Sequence, residues 1–154
     1  MATPRRALPL RSPLPIDRVF PFFSRAENLA RITPPELGFQ ISTPLPIDMR
    51  EGALIDYTIR LHGLPMRWRT RISKWNPPFE FVDEQLKGPY ALWHHTHSFR
   101  SDGEGATIVD DEVLYRLPFS PLGDLALPIV KRQLAGIFAY RTDVVRHLLL
   151  NGAA

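Results

Sequence analysis

Apolar side chains recur at every second position through much of the chain between Gly38 and Leu117, and this pattern constrains the fold more than any other. Neighbouring residues of a β-strand point to opposite faces of a sheet, so such an alternation predicts strands with one apolar face. Gly, Pro, Asn and Asp residues separate the segments at short intervals, which favours antiparallel hairpins over parallel crossovers. The six predicted strands cover residues 38–43, 53–62, 65–75, 79–87, 91–100 and 106–117.

Three shorter elements are predicted before these strands. Residues 5–12 predict a short strand, and Pro9 places it at a sheet edge or a bulge. Residues 15–24 carry Ile and Val and two Phe side chains three or four positions apart, which predicts a helix. Residues 26–32 predict a second short helix that ends before the following prolines.

The C-terminal part, residues 121–150, is the longest segment with helical spacing, and Pro128 is expected to kink or restart it near its beginning. Its predicted apolar stripe consists of Leu125, Ile129, Leu134, Ile137, Phe138, Val145, Leu148 and Leu149. A sheet followed by one long amphipathic helix predicts an α+β fold of two layers. We therefore expect a curved antiparallel sheet of about seven strands wrapped around the C-terminal helix, with two short helices after the first strand.

The composition fits one globular domain, and we expect residues 1–154 to form it. The absence of cysteine excludes disulfides, thiol catalysis and cysteine-ligated zinc. The net charge is only +3, and the acidic residues are spread along the same segments as the arginines, which argues against nucleic acid as a partner. We expect no stable membrane insertion, since no apolar run approaches about 18 residues. We also expect no signal peptide, because the basic N-terminal segment has no unbroken apolar stretch of roughly seven residues before its prolines, and we therefore expect a cytoplasmic location.

Several stretches of the chain resemble the START-like, or SRPBCC, superfamily of helix-grip proteins. They are PLPIDRVFPFFSRAENLARITPP, FVDEQLKGPYALWHHTHSF, TIVDDEVLYRLPFSPLGDLA and IFAYR. The last three together are similar to a bacterial subgroup described as polyketide cyclase/dehydrase-like or as ligand-binding. The resemblance implies a Bet v 1-like helix-grip fold that binds a small hydrophobic or aromatic molecule, such as a lipid or a polyketide, between sheet and helix. Relatives fused to an epimerase-like domain imply an epimerase-like protein as a further partner, for which this chain would be an accessory module.

The alternation also predicts which side chains face the cavity of such a fold. Phe79 and Phe81 have the same parity as the polar residues of segment 79–87 and are expected to point inwards with them. The predicted polar residues of the inner face are Asp83, Gln85, His95, His97 and Asp111, and the aromatic ones are Tyr57, Trp68, Trp93, Phe99 and Tyr115. Together these ten residues form the predicted ligand-binding site.

Three interpretations of the polar residues are open. They can form a buried hydrogen-bond network, because buried polar groups must be satisfied. They can form the polar end of a ligand pocket, and in a cyclase/dehydratase-type enzyme His95 or His97 would then move protons with Asp83 or Asp111 orienting the ring. Two imidazoles two residues apart with a nearby carboxylate could also bind zinc, but His-x-His is a weak signal, and no metal or cofactor is expected.

Three further features have expected roles. The arginines of segment 65–75 are expected on the solvent face, paired with neighbouring acids. Phe119 and Leu122 precede the long helix and are expected to form either a gate at the cavity mouth or a hydrophobic plug. The leucines at 148–150 are either the end of the core stripe or a homodimer contact.

Overall fold

The computed structural model describes residues 2–7, 9–103 and 105–150, apart from the side chain of Arg6. The strands are β1 (Thr3–Arg6), β2 (Leu10–Ser12), β3 (Gln40–Ile41), β4 (Leu54–Leu61), β5 (Leu64–Asn76), β6 (Glu80–Lys87), β7 (Leu92–Ser101) and β8 (Thr107–Arg116). The α-helices are α1 (Ile16–Ser24) and α2 (Leu127–Leu150), and short 3₁₀ helices cover Ala26–Asn28, Pro35–Leu37 and Leu122–Ala126. This order confirms the predicted α+β architecture.

The described strands form one antiparallel sheet in the order β1-β8-β7-β6-β5-β4-β3, and β2 also pairs with β8. Strands β4 to β8 match the predicted strands to within one residue at each end, because alternation and turn residues agree there. The predicted strand 38–43 is shorter, since only Gln40 and Ile41 pair with β4. The backbone N–H groups of Ser42 and Thr43 both donate to the carbonyl of Asp56, which ends the regular pairing.

The prediction of one continuous strand over residues 5–12 is wrong. Its residues belong to two strands, in which Thr3 lies opposite Tyr115 and Leu10 lies opposite Val109. Pro9 lacks a backbone N–H group and lies in the break between them. Leu8, which the prediction also covered, lies outside the described residues.

Helix α1 packs its apolar side against the sheet. Val19, Phe20 and Phe23 are buried as the spacing predicts, and Pro21 is tolerated on the exposed side of the helix. The predicted helix 26–32 is wrong beyond its first turn, because only Ala26–Asn28 is helical and of the 3₁₀ type. The side-chain amide of Asn28 donates to the carbonyl of Phe22 at 2.8 Å, a local bond that competes with helix continuation.

Helix α2 crosses the concave face of the sheet and buries Leu134, Phe138, Arg141, Val145 and Leu149 at spacings of three and four residues. Pro128 occupies the second position of the helix, where its missing N–H costs nothing, so it starts the helix rather than kinking it. At the C-terminal end of the predicted stripe, Leu149 is buried in the core.

The beginning of the predicted stripe is wrong. Leu125 and Ile129 are 80% and 60% exposed. Leu125 lies in the 3₁₀ helix, outside the α2 register. Ile129 lies five residues before Leu134, which at 3.6 residues per turn places the two side chains about 140° apart.

Within the part of the chain that the structure describes, the buried apolar residues form three groups, and the partly buried Trp75 packs against two of them. One group packs α1 against Phe81, Phe99 and the end of α2. A second packs the first half of α2 against β8, and a third joins Ile55 and Ile72 on β4 and β5. None of the helices described combines the length and apolar character needed to span a bilayer.

The outer face of the sheet carries the arginines of β5. Arg69 Nε donates to Asp56 Oδ1 at 2.7 Å and Nη2 donates to Oδ2 at 3.0 Å, and Arg71 bonds to Glu84. The predicted pairing with acids on the solvent face is confirmed for these two arginines. Phe79, predicted to point inwards, is instead 55% exposed, because it lies in the turn before β6 and its N–H donates to the carbonyl of Asn76.

Candidate functional site

A cavity of about 170 Å³ lies between the concave face of the sheet and α2. Alternate residues of β4 and β5 line its floor, and these are Ile55, Tyr57, Ile59, Leu61, Trp68, Thr70 and Ile72. Leu134, Ile137 and Phe138 of α2 line the opposite side. The walls are therefore mainly apolar, and the floor consists of side chains that the alternation predicts for the inner face.

Aromatic side chains line one wall of the cavity. Tyr57 and Trp68 stack with their ring centroids 5.7 Å apart, and Trp68 meets Trp93 edge-to-face at 5.3 Å. Tyr90 packs against both tryptophans. Burial raises the pKa of Tyr57, so its hydroxyl stays protonated beside Thr70, whose Oγ1 lies 3.5 Å away. This wall offers ring faces and two hydroxyls to a bound molecule.

One end of the cavity is charged and hydrogen-bonded. The antiparallel register sets His95 of β7 opposite Asp83 of β6, and it sets His97 of β7 opposite Asp111 of β8. With Arg141 from α2, these four side chains form what we call the polar cluster. Asp83, His95, His97 and Arg141 line the cavity, and Asp111 lies behind the imidazoles.

Each imidazole of the polar cluster lies between the two carboxylates. His97 Nε2 bonds to Asp83 Oδ2 at 2.6 Å, and His97 Nδ1 lies 2.9 Å from Asp111 Oδ1. His95 Nε2 bonds to Asp111 Oδ1 at 3.1 Å, and its Nδ1 lies 3.6 Å from Asp83 Oδ2. The centroids of the two imidazole rings are 3.8 Å apart. Asp83, His95 and His97 also form a donor set for a metal ion, with one ligand atom from each residue lying within 4.8 Å of the others.

Arg141 connects the helix to this cluster. Its Nε lies 3.6 Å from Asp111 Oδ2, its Nη2 lies 3.4 Å from His97 Nδ1, and its guanidinium group covers the ring of Phe23. The sequence interpretation missed this residue. A signal was present, because Arg141 falls at helical spacing within the apolar stripe, three residues after Phe138.

The charges of the polar cluster balance one another. Burial alone would raise the pKa of Asp111, but the Arg141 guanidinium and the two imidazoles outweigh it and hold that pKa well below its ordinary value. Burial is likewise outweighed at Asp83, whose pKa is lowered by His95, His97 and Arg141.

The two histidines differ in the balance of the same effects. At His95, burial and the neighbouring His97 lower the pKa despite both carboxylates. At His97, burial lowers the pKa, but hydrogen bonds and charge from Asp111 and Asp83 raise it overall. A proton on His97 would make the cluster neutral, because two carboxylates would then face one guanidinium and one imidazolium. Such a pair of imidazoles can give a proton to, or take one from, a molecule in the cavity.

The structure brings six of the ten predicted site residues to the cavity: Tyr57, Trp68, Asp83, Trp93, His95 and His97. Gln85 instead closes the turn after β6, where its side chain bonds to the backbone N–H and carbonyl of Tyr90. Phe99 packs against Phe20 and Phe23, and Tyr115 is fully buried beneath α2. Phe99 and Tyr115 belong instead to the apolar groups in which α1 and α2 pack directly on the sheet.

Several lining residues come from the segment between α1 and β3, where the predicted helix 26–32 ends after one turn and the predicted strand 38–43 begins late. They include Leu29, Ile32, Thr33, Leu37 and Phe39. The gate or plug predicted from Phe119 and Leu122 is wrong, because both side chains are largely exposed. The connection before α2 turns outwards there, while the segment after α1 folds over the cavity.

No protein-family model matches the chain, and no curated protein matches it in sequence. Solved structures match it in fold. The Zhui aromatase/cyclase from Streptomyces sp. R1128 superposes with a TM-score of 0.79 at 12% identity, covering 100% of this chain and 97% of the other. A START superfamily protein from Mycobacterium smegmatis gives 0.70 at 11% identity over 97% of both chains.

Norcoclaurine synthase from Thalictrum flavum, solved in complex with dopamine and hydroxybenzaldehyde, gives a TM-score of 0.70 at 15% identity, covering 98% of this chain and 88% of the other. These similarities, with the curved sheet and the long C-terminal helix, show a START-like, Bet v 1-like helix-grip fold, as the resemblance implied.

Proposed function

We propose that the protein binds a small aromatic molecule bearing a hydroxyl or amino group, in the cavity between the sheet and α2. The observation that carries this proposal is an apolar, aromatic-lined cavity whose one end is a charged, hydrogen-bonded cluster. Apolar walls with a few convergent polar groups are typical of small-molecule sites.

The size of the cavity narrows the class of ligand. A protein cavity of roughly 150 Å³ accommodates benzene. The present cavity, at about 170 Å³, fits a molecule of one ring with small substituents. A long lipid or an extended polyketide chain would require the walls to move apart, so both are poorer candidates.

The polar end favours a hydrogen-bond donor on the ligand. Asp83 lines the cavity, and its side-chain contacts with other described residues all use Oδ2. Oδ1 would therefore be the acceptor for a bound molecule. A phenolic hydroxyl or an amine would donate to it, and hydrogen bonds to charged groups are among the stronger ones. The norcoclaurine synthase of the same fold, with its bound dopamine and hydroxybenzaldehyde, supports small phenols as the class to test.

Binding of p-cresol and of toluene, measured by titration calorimetry in EDTA, tests this proposal. The two molecules have similar shapes and differ by the hydroxyl, so we expect p-cresol to bind at least about tenfold more tightly. Asp83→Asn should reduce this preference. Glu84→Gln, on the opposite face of the same strand, should leave it unchanged.

A second pair of variants tests the place of binding. Ile137→Trp fills the cavity from α2 and should weaken p-cresol binding at least about tenfold, while Ala139→Trp, on the exposed face of the same helix, should not. Equal affinity of both variants and the unaltered protein would show that the cavity is not the site.

A further inference from the structure

We infer that Asp83, His95 and His97 form a binding site for a divalent first-row transition metal ion, such as zinc, at the polar end of the cavity. This site goes beyond the proposed ligand binding and does not depend on it. Three independent features support it: the donor set, the carboxylate behind the imidazoles, and the position of the site at the cavity.

One possible ligand atom from each of the three residues lies within 4.8 Å of the others. Asp83 Oδ2 lies 2.6 Å from His97 Nε2 and 3.6 Å from His95 Nδ1. Ligand atoms of a tetrahedral zinc ion, at about 2.0–2.1 Å from the metal, are roughly 3.3 Å from one another. The two distances from Asp83 Oδ2 bracket this value, so rotations of the side chains would bring the three ligand atoms to the spacing that the ion requires.

A second carboxylate lies behind both imidazoles. Asp111 Oδ1 is 3.1 Å from His95 Nε2 and 2.9 Å from His97 Nδ1, which are the ring nitrogens that face away from Asp83. Histidines that bind metals typically donate the N–H of the far nitrogen to such a carboxylate, which fixes the ring orientation and the tautomer. Arg141 Nε, 3.6 Å from Asp111 Oδ2, balances the charge of this carboxylate.

The position of the three ligands leaves one coordination site facing the cavity, since Asp83, His95 and His97 all line it. Two imidazoles and one carboxylate with a fourth open position form the ligand set of catalytic zinc sites. Two carboxylates, one guanidinium, two neutral imidazoles and a dication add up to one positive charge. This surplus favours an anionic oxygen at the open position, either hydroxide or the phenolate of a bound phenol.

Titration of the EDTA-treated, desalted protein with Co²⁺ alone tests the site. Tetrahedral Co²⁺ absorbs visible light strongly, and we expect one ion per chain, displaced by one equivalent of Zn²⁺. Asp83→Ala and His97→Ala should weaken binding at least about tenfold, and Asp111→Asn about 10–100-fold as the group that orients the rings. His94→Ala, one residue along β7 on the opposite face, is the matched control and should change nothing.

The unaltered protein gives a second readout that does not require a variant to fold. In long-range ¹H–¹⁵N spectra of the imidazole rings, one equivalent of Zn²⁺ should shift the ring nitrogens of His95 and His97 and leave those of His94 in place. Shifts confined to His62, His94 or His147, or Co²⁺ binding that His97→Ala does not weaken, would overturn the inference. Because no aromatic molecule is present, failure of this titration is distinct from failure of p-cresol binding in EDTA.

Discussion

The two faces of the sheet use the same kinds of side chain with different physical consequences. On the outer face, Arg69 and Asp56 form a two-point salt bridge while 40% and 42% of their side chains stay exposed. On the inner face, Arg141 and Asp111 lie farther apart, at 3.6 Å, but only 10% of each side chain is exposed. Water screens the outer pair, so its better geometry contributes little stability. The inner pair cannot be broken without leaving a buried charge, so its partners are far less replaceable.

The largest expected difference in the free energy of unfolding comes from making the same substitution on both faces. Arg141→Met leaves Asp111 buried without its guanidinium and should lower the free energy of unfolding by about 3–5 kcal/mol. Arg69→Met should leave the urea midpoint unchanged within error. Equal urea midpoints for the two variants would show that burial does not distinguish the two pairs.

A double-mutant cycle sharpens the comparison further. If Arg141 acts mainly by balancing Asp111, then Asp111→Leu combined with Arg141→Met should be less destabilising than the sum of the single variants, by about 1–3 kcal/mol. Urea unfolding of all four proteins in EDTA measures this coupling energy. Additivity within about 0.5 kcal/mol would assign the effect of Arg141 to packing on Phe23 instead.

A smaller difference is expected between apolar residues of the two faces. Ile72 of β5 is almost completely buried at the cavity floor, whereas Leu54 of β4 is exposed on the outer face. Removal of one methyl group by Ile72→Val should cost about 0.5–1.5 kcal/mol, and Leu54→Val should stay within about 0.5 kcal/mol of the unaltered protein. Thermal or urea unfolding of the two variants provides the comparison.

The smallest expected effect is a change in the pKa of Asp56 in the outer salt bridge. The hydrogen bond from Arg69 is the main cause that lowers the pKa of Asp56. A carboxyl whose pKa is lower in the folded state stabilises that state above its ordinary pKa, and this contribution disappears as the pH falls through the lowered pKa. NMR titration of Asp56 should therefore show a higher pKa in Arg69→Gln. An unchanged pKa would mean that the bond does not persist in solution.

Alternation predicted most of the sheet and the cavity floor, because a two-residue period leaves each side chain of β4 and β5 only one face to occupy. It failed at Phe79, where a turn delays the start of β6, and at Gln85, whose side chain closes a turn instead of entering the cavity. Both failures lie at strand ends, where local hydrogen bonds outweigh the periodic pattern.

Other parts of the site depend on tertiary structure and could not be predicted from any single segment. Arg141 joins the histidines only because α2 crosses β7 and β8, and 44 residues separate it from His97. The lining residues Leu29 and Phe39 fall within the predicted helix 26–32 and strand 38–43, but the structure places both in an irregular segment that folds over the cavity. The resemblance to helix-grip proteins implied the fold and the existence of a cavity. The pairing of each imidazole with both carboxylates depends on the register between neighbouring strands, which no single segment of the sequence reveals.

The segment between α1 and β3 has a consequence for the rate at which a ligand exchanges. It covers the cavity with short 3₁₀ turns, while α2 is held to the sheet by the polar cluster and by apolar groups at both of its ends. Local opening of an irregular segment requires only a fraction of the free energy of global unfolding and occurs in microseconds to seconds. The proposed ligand would then enter and leave by displacement of this cover alone, so the speed of its exchange and the strength of its binding would be set by different parts of the chain.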